Sequence, residues 1–116
     1  MEATNGLGNL IVGYNEMAYG PLGEPAPRSG SHNVVIGWGH AYLGCGGLVA
    51  GARNTILGNY TSVTGGRDNN AHGHCSTVSG GQNNLVGHTY GAVSGGRGRR
   101  TFSEHDWVGG SYVADN

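Results

Sequence analysis

The stretch from Ser62 to Gly96, SVTGGRDNNAHGHCSTVSGGQNNLVGHTYGAVSGG, decides the fold of this chain. The unit Val-(Thr/Ser)-Gly-Gly begins at Val63, Val78 and Val93, so it recurs every 15 residues. A unit this short cannot bury its own apolar side chains, so it must stack on copies of itself. The stretch therefore predicts a repeat protein.

The repeat extends through most of the chain in half-units of 7 or 8 residues. The half-units begin at residues 35, 42, 49, 56, 63, 71, 78, 85, 93, 100 and 107, and a glycine lies two residues after each start except at Phe102. Valine or isoleucine occupies six of the eleven starts, with Asn, Ser, Thr and Gly between them, and this composition favours short strands joined by turns. Two half-units then close one coil of 14 or 15 residues in a β-solenoid.

Two helical alternatives share a short repeat and are excluded by the glycines. A coiled coil needs good helix formers around its apolar positions, and each glycine would cost a helix about 1 kcal/mol. Collagen needs a glycine at every third residue, and the glycines here do not have that spacing. The fold class we predict is therefore all-β.

The composition of the chain argues against some classes of function. The chain has 116 residues, enough for one domain, of which 25 are glycine and 11% are charged. Its net charge of −1 provides no overall field that would attract nucleic acid or a membrane surface. No apolar run approaches the 18 residues of a membrane-spanning helix. We therefore predict no nucleic-acid partner and no membrane insertion in this segment.

The period divides the chain into four parts. We predict that residues 1–14 form a first half-coil and that residues 15–32, which hold Pro21, Pro25 and Pro27, form an inserted loop rich in proline and glycine. Residues 33–110 form the repeat array, and residues 111–116 form a short tail.

Alternation along each strand turns one residue of every pair inward. We predict that the first residue of each half-unit faces the core, and that Trp107 covers the last coil as a cap. The predicted core is Val35, Val49, Ile56, Val63, Ala71, Val78, Leu85, Val93 and Trp107. Glycines with positive φ are expected to turn the corners, namely Gly37, Gly51, Gly65, Gly80, Gly95 and Gly109.

One cluster of histidine and cysteine residues is a candidate metal-binding site. His72, His74 and Cys75 place two imidazoles and a thiol within four residues, which are ligand types that suit Zn²⁺. The alternative, solvated histidines in a turn, is favoured because no second pair of ligands lies nearby in the sequence. Cys45 and Cys75 are about two coils apart, near 10 Å, too far for a disulfide.

Other polar clusters have structural interpretations beside functional ones. Glu104, His105 and Asp106 contain an acid and a base but no nucleophile, so we predict a polar turn and no catalytic residue. The basic run from Arg97 to Arg100 could bind a phosphate or an acidic glycan, although a solvated corner is the favoured interpretation. Asn70 and Asn84 are predicted to stack with their neighbours as amide ladders.

The units NTILGNYTSVTGG and NNAHGHCSTVSGGQNN resemble the head repeats of trimeric autotransporter adhesins, the YadA-like head. Related Ser-Val-Ser-Gly-Gly arrays occur in phage tail fibres and bacterial surface proteins. The opening NGLGNLIVGYNE and the run from Asp106 to Ser111 are similar to the ends of such arrays. The resemblance implies a left-handed parallel β-roll, a side-by-side homotrimer, and an extracellular location at a cell surface or on a virion.

Three function hypotheses follow. The first is a non-enzymatic structural or adhesive fibre segment without a cofactor, whose partner is itself, as a homotrimer that could also stack end to end. The second is a glycan- or receptor-binding head that contacts a host surface glycan or matrix. The third is an ice-binding solenoid using Thr64, Ser79 and Ser94, but that outward column is irregular. The scattered tyrosines argue against a glycan site, so we favour the structural hypothesis.

Overall fold

The computed structural model describes residues 4–110 and 112–114. In this part of the chain the protein is all-β, without a helix, and its parallel strands stack into a β-solenoid of about five turns. The principal extents are 37, 30 and 25 Å. The β-solenoid predicted from the period is therefore confirmed.

The solenoid has one long sheet and one short sheet. The long sheet contains eight strands, in spatial order β1 (Leu10–Val12), β2 (Val34–Trp38), β4 (Leu48–Ala52), β6 (Ser62–Val63), β8 (Thr77–Val78), β10 (Ala92–Gly95), β11 (Trp107–Gly109) and β12 (Tyr112–Ala114). The short sheet contains four strands, in spatial order β3 (Ala41–Tyr42), β5 (Thr55–Ile56), β7 (Asn70–Ala71) and β9 (Leu85–Val86). All pairings between successive coils are parallel, so each residue lies above its counterpart one coil earlier.

The core is a single column of side chains between the two sheets. Its members are almost fully buried, and they are Val35, Tyr42, Val49, Ile56, Val63, Ala71, Val78, Val86, Val93 and Val108. The predicted positions Val35, Val49, Ile56, Val63, Ala71, Val78 and Val93 lie in this column.

Two predicted core residues are wrong by one position. Val86 is buried in place of Leu85, and Val108 is buried in place of Trp107, which is 42% exposed. A 15-residue coil has one residue more than a 14-residue coil, and that residue always lies in the corner after the long-sheet strand. In the 15-residue coils the core positions therefore advance by eight residues across that corner, as from Val63 to Ala71 and from Val78 to Val86, and by seven across the other. Leu85 and Trp107 consequently point away from the core.

The corners also differ in part from the prediction. Gly37, Gly51 and Gly95 have positive φ, as predicted. Gly65, Gly80 and Gly109 do not, because the second glycine of each pair, such as Gly66 with φ of +79°, makes the turn. A side chain at Gly66 would collide with the carbonyl oxygen of Gly81 in the next coil, so the coils meet there backbone to backbone.

A ladder of buried asparagines supports the same corner. The backbone N–H of each residue donates to the side-chain oxygen of the asparagine one coil earlier, over 2.9 Å from Asn69 to Asn54 and 3.0 Å from Asn84 to Asn69. Each amide nitrogen donates in turn to corner carbonyl oxygens. The predicted amide ladder therefore includes Asn84, but Asn69 takes the place predicted for Asn70, which lies on strand β7 and is half-buried.

The two ends of the long sheet differ. At the C-terminal end, the last strand β12 pairs antiparallel with β11, whereas at the other end β1 pairs parallel with β2. The predicted tryptophan cap is therefore wrong: Trp107 lies on the outer face, where Nε1 donates to Ser94 Oγ. Residues 111, 115 and 116 of the predicted tail lie outside the described residues, as do residues 1–3 of the predicted first half-coil.

Candidate functional site

An apolar patch covers the outer face of the first coils. We define the apolar patch as Leu10, Val12, Ile36 and Trp38, all of which are exposed, Leu10 by 61%. Val12 pairs with Ile36 in adjacent strands, so their side chains lie side by side, and Trp38 lies at the end of the same strand β2. A contiguous exposed apolar surface of this kind is typical of a protein–protein contact.

The patch adjoins an open strand edge. Strand β1 is the terminal strand of the long sheet, and its outer edge has no strand partner among residues 4–110 and 112–114. Ile11 pairs with the core residue Val35, yet Ile11 is 37% exposed because no described strand covers it. An unpaired edge with exposed apolar side chains is a template for pairing with another chain.

The polarity of the outward-facing residues changes along the solenoid. In one registered column, Leu10, Val34 and Leu48 are followed in later coils by Ser62 and Thr77. This column is therefore apolar in the first coils and polar at Ser62 and Thr77, and it is apolar again at Ala92 and Trp107. The sequence contained this signal in the change from Ile36 to Ser79, which above counts only against an ice-binding face.

The loop predicted at residues 15–32 arches over the short sheet. The isolated bridge between Tyr19 and Pro25 closes its tip. Both flanks are attached to the coils, because Gly39 N–H donates to Glu16 O over 3.1 Å and Tyr42 N–H donates to Pro27 O over 3.0 Å. The insertion is therefore held against the solenoid by backbone hydrogen bonds.

An open cleft of about 370 Å³ lies between this loop and the coils. Arg53 and Asp68 on its solenoid side form an ion pair of 2.8 Å between neighbouring coils. Glu24 and Tyr19 line its loop side, and Glu24 Oε2 accepts a hydrogen bond from Leu22 N–H. The cleft thus combines apolar walls with three charged groups, a lining that could bind a small polar molecule.

His40 occupies the first position of the asparagine ladder. Its Nδ1 accepts a hydrogen bond from Asn54 N–H over 3.1 Å, and its Nε2 lies 2.8 Å from Ile36 O, to which it donates. This pattern requires the neutral imidazole with its proton on Nε2. Burial lowers the pKa of His40 below its ordinary value of 6.5.

The candidate metal site at His72, His74 and Cys75 is not formed in the structure. No group of three or more His, Cys, Asp or Glu side chains in the described part of the chain could hold a metal ion. His74 Nδ1 accepts a hydrogen bond from Asn59 N–H in the preceding coil, while Cys75 lies on the outer corner with φ of +54°. Partial desolvation lowers the pKa of His72. Cys45 is buried and Cys75 is exposed, and both are free thiols.

The acid–base run forms a turn, as the sequence indicated. Asp106 is buried, and its carboxylate accepts hydrogen bonds of 2.8 Å from the backbone of Phe102 and from the backbone and hydroxyl of Ser103. His105 stacks on Tyr90 of the preceding coil, with ring centroids 5.1 Å apart. These contacts shape the corner before strand β11.

Comparisons with protein-family models, with curated proteins and with solved structures find no match. No helix in residues 4–110 or 112–114 has the length and apolar character needed to cross a membrane.

Proposed function

We propose that this protein is a non-enzymatic structural or adhesive segment of an extracellular fibre, at a cell surface or on a virion, and that it associates with itself. The apolar patch, next to the open edge of strand β1, is the observation that supports this function. The proposed assembly is a side-by-side homotrimer of left-handed coils, which is the arrangement implied by the resemblance to YadA-like heads.

The thickness of the core supports association. Each coil contributes only one to four buried apolar side chains, for example Val49 and Ile56 in one coil. Each of these stabilises the fold by about 1.5–3 kcal/mol, whereas ordering the backbone costs about 1–2 kcal/mol for every residue. Burial of a second face between chains would add apolar burial, and the patch is the face suited to it.

The test is the mass in solution by multi-angle light scattering at micromolar concentration. We expect a species of three times the 11.9 kDa chain mass. Ile36→Asp places a charge in the patch and should shift the population to monomer, because an uncompensated buried charge disfavours the interface. The circular dichroism spectrum should not change, since Ile36 points away from the core.

Ser79→Asp is the matched control, because Ser79 is an exposed outward residue in a later coil. It should leave the trimer intact. A wild-type protein that remains a folded monomer on concentration would contradict the proposal. Loss of assembly in both variants would show that the patch has no special role.

A further inference from the structure

The insertion at residues 15–32 interrupts the repeat and forms one wall of the open cleft. Its central part is a hairpin, in which Ala26 N–H donates to Ala18 O and Gly20 N–H donates to Glu24 O, both over 2.8 Å. Because the flanks are also bonded to the coils, this wall is already in place before any ligand arrives. A long loop inside a compact domain is usually functional, and a preformed wall lowers the cost of binding.

The floor of the cleft belongs to the short sheet. Ala41 of strand β3 and Thr55 of strand β5 are registered partners, and both line the cleft. Ala and Pro residues of the insertion form the apolar part of the lining, namely Ala18, Pro25, Ala26 and Pro27. The volume of about 370 Å³ lies within the range of about 300–1,000 Å³ that is typical of small-molecule sites.

An arginine and an aspartate supply polar groups on the solenoid side. Arg53 Nη2 donates to Asp68 Oδ2 over 2.8 Å, and within residues 4–110 and 112–114 neither side chain makes another hydrogen bond. The two side chains are 47% and 26% exposed, so the other guanidinium N–H groups and Asp68 Oδ1 can be reached by a ligand. A donor and an acceptor therefore lie side by side in the lining of the cleft.

Tyr19 adds an aromatic side chain on the loop side. It lines the cleft, it is 67% exposed, and its backbone is fixed by the bridge to Pro25. An aromatic ring and a guanidinium–carboxylate pair on two sides of one cleft suit the chemistry of a sugar. The C–H groups on one face of a sugar ring pack on an aromatic ring, while adjacent hydroxyl groups both donate and accept hydrogen bonds.

The charge of the lining favours a neutral sugar over an acidic one. Glu24 and Asp68 contribute two negative charges, and Arg53 contributes one positive charge. Glu24 is exposed and forms no ion pair in the part of the chain that the structure describes. The excess negative charge would repel a carboxylate or sulfate group on a ligand.

We propose that the cleft binds one neutral sugar unit with two adjacent hydroxyl groups. Asp68 and Arg53 bind the hydroxyl groups, and Tyr19 packs against the apolar face of the ring. The sugar is either free or part of a glycan chain, because the cleft is open to solvent. The scattered tyrosines argue against an extended aromatic surface, but a cleft with polar groups on its other side needs only one ring.

The test follows the backbone N–H signals of Gly39 and Thr55, two lining residues, in ¹H–¹⁵N spectra. The protein is titrated separately with methyl glucoside, methyl mannoside and methyl galactoside, which are neutral and carry adjacent hydroxyl groups. We expect saturable shifts with at least one of them, at millimolar affinity because an open cleft leaves much of the ligand in water. The absence of a saturable shift with all three would overturn the proposal.

Two analogues of the sugar that binds test its recognition. The corresponding 3-deoxy glycoside has no two adjacent ring hydroxyls and should bind about tenfold more weakly. The corresponding uronic acid glycoside carries a carboxylate and should also bind more weakly. Equal binding of the deoxy analogue would contradict recognition of a hydroxyl pair, and tighter binding of the uronic acid would contradict a neutral ligand.

Asp68→Asn and Tyr19→Ala each remove one proposed contact. Asp68→Asn should weaken binding about tenfold, because a charge-assisted acceptor is lost, and asparagine tolerates the φ of +56° at this position. Tyr19→Ala should weaken binding about tenfold, because the apolar face of the sugar loses its aromatic partner. The circular dichroism spectrum should not change in either variant, since both side chains lie at the surface.

Glu104→Gln and Tyr60→Ala are the matched controls. Glu104 and Tyr60 are exposed, and they lie on the opposite corner of the coils, which leads into the long sheet. Glu104→Gln changes the net charge as Asp68→Asn does, and Tyr60→Ala removes the same side chain as Tyr19→Ala. We expect unchanged sugar affinity in both controls. Equal weakening in a variant and its control would overturn the proposal.

A polysaccharide built from the sugar that binds, namely dextran, mannan or galactan, distinguishes the two sources. Tighter binding of the polysaccharide than of the methyl glycoside, per sugar unit, would indicate a chain-borne ligand, and equal or weaker binding would indicate a free sugar. Failure of trimer formation would leave these outcomes unaffected, because all residues of the cleft belong to one chain.

Discussion

Replacement of Asn69 by alanine tests the central role of the asparagine ladder. Asn69 is fully buried, and its side chain makes three hydrogen bonds across the corner. Its oxygen accepts from Asn84 N–H over 3.0 Å, and its amide nitrogen donates to Gly81 O over 3.0 Å and to Gly65 O over 3.3 Å. Alanine removes all three bonds.

The expected cost follows from what each partner loses. Asn84 N–H has no substitute acceptor and becomes an unpaired buried donor, at about 1–3 kcal/mol. Gly81 O keeps the hydrogen bond that it accepts from Arg67 N–H, and Gly65 is partly exposed to solvent, so each lost amide bond costs only about 0.5–1.5 kcal/mol. We therefore expect Asn69→Ala to lower the free energy of unfolding by about 2–6 kcal/mol, a large share of the stability of a small domain.

The measurement is urea unfolding followed by circular dichroism at one fixed protein concentration, since association would otherwise shift the midpoint. Asn70→Ala is the control, because Asn70 is the same residue type one position later and lies half-buried on the strand. Its cost should stay below about 1 kcal/mol. If the two variants unfold at the same urea concentration, the ladder does not stabilise the corner as argued.

Three further outcomes follow from the core and the ladder. Val78→Asp should unfold the protein or lower its thermal midpoint far more than Ser79→Asp, and equal midpoints would contradict the orientation of strand β8. Stability should fall as the pH drops below about 6.5, because the unfolded chain then binds a proton that folded His40 resists. His40→Asn should reduce this pH dependence in urea titrations, leaving the contribution of the same sign from His72; an unchanged pH profile would contradict the argument. Trp107→Ala should cost less than about 2 kcal/mol in urea unfolding, and a cost near 4 kcal/mol would indicate a buried cap.

The solenoid could be predicted because its causes are local in sequence. A β-branched residue at many half-unit starts and a glycine two residues later favour a strand followed by a turn. It was harder to predict which residue of a strand faces the core, because Leu85 and Val86 are adjacent and both are apolar. Which of the two faces inward depends on which corner holds the extra residue of the 15-residue coil. For the same reason the sequence does not tell whether Asn69 or Asn70 faces inward.

The surface features arise from contacts between parts distant in sequence. The cleft needs the arch of residues 15–32 to lie over Arg53 and Asp68, and no local pattern specifies that placement. The antiparallel strand at Tyr112–Ala114 interrupts the parallel repeat, so the period could not predict it. The apolar patch, by contrast, was visible in the outward column, which begins with Ile36 and becomes polar at Thr64.

The asparagine ladder has a consequence for how the length of this rod can change. Deletion of residues 69–83 would join Asp68 directly to Asn84, and the rung that Asn69 forms with Asn54 would pass to Asn84. Deletion of residues 69–84 or 69–82 would instead place Leu85 or Asn83 directly after Asp68, and the next strand would face the opposite way unless the corner took up the difference, as it does between 14- and 15-residue coils. Viable length variants are therefore restricted to whole coils, so this rod can be shortened or extended only in steps of about 4.8 Å.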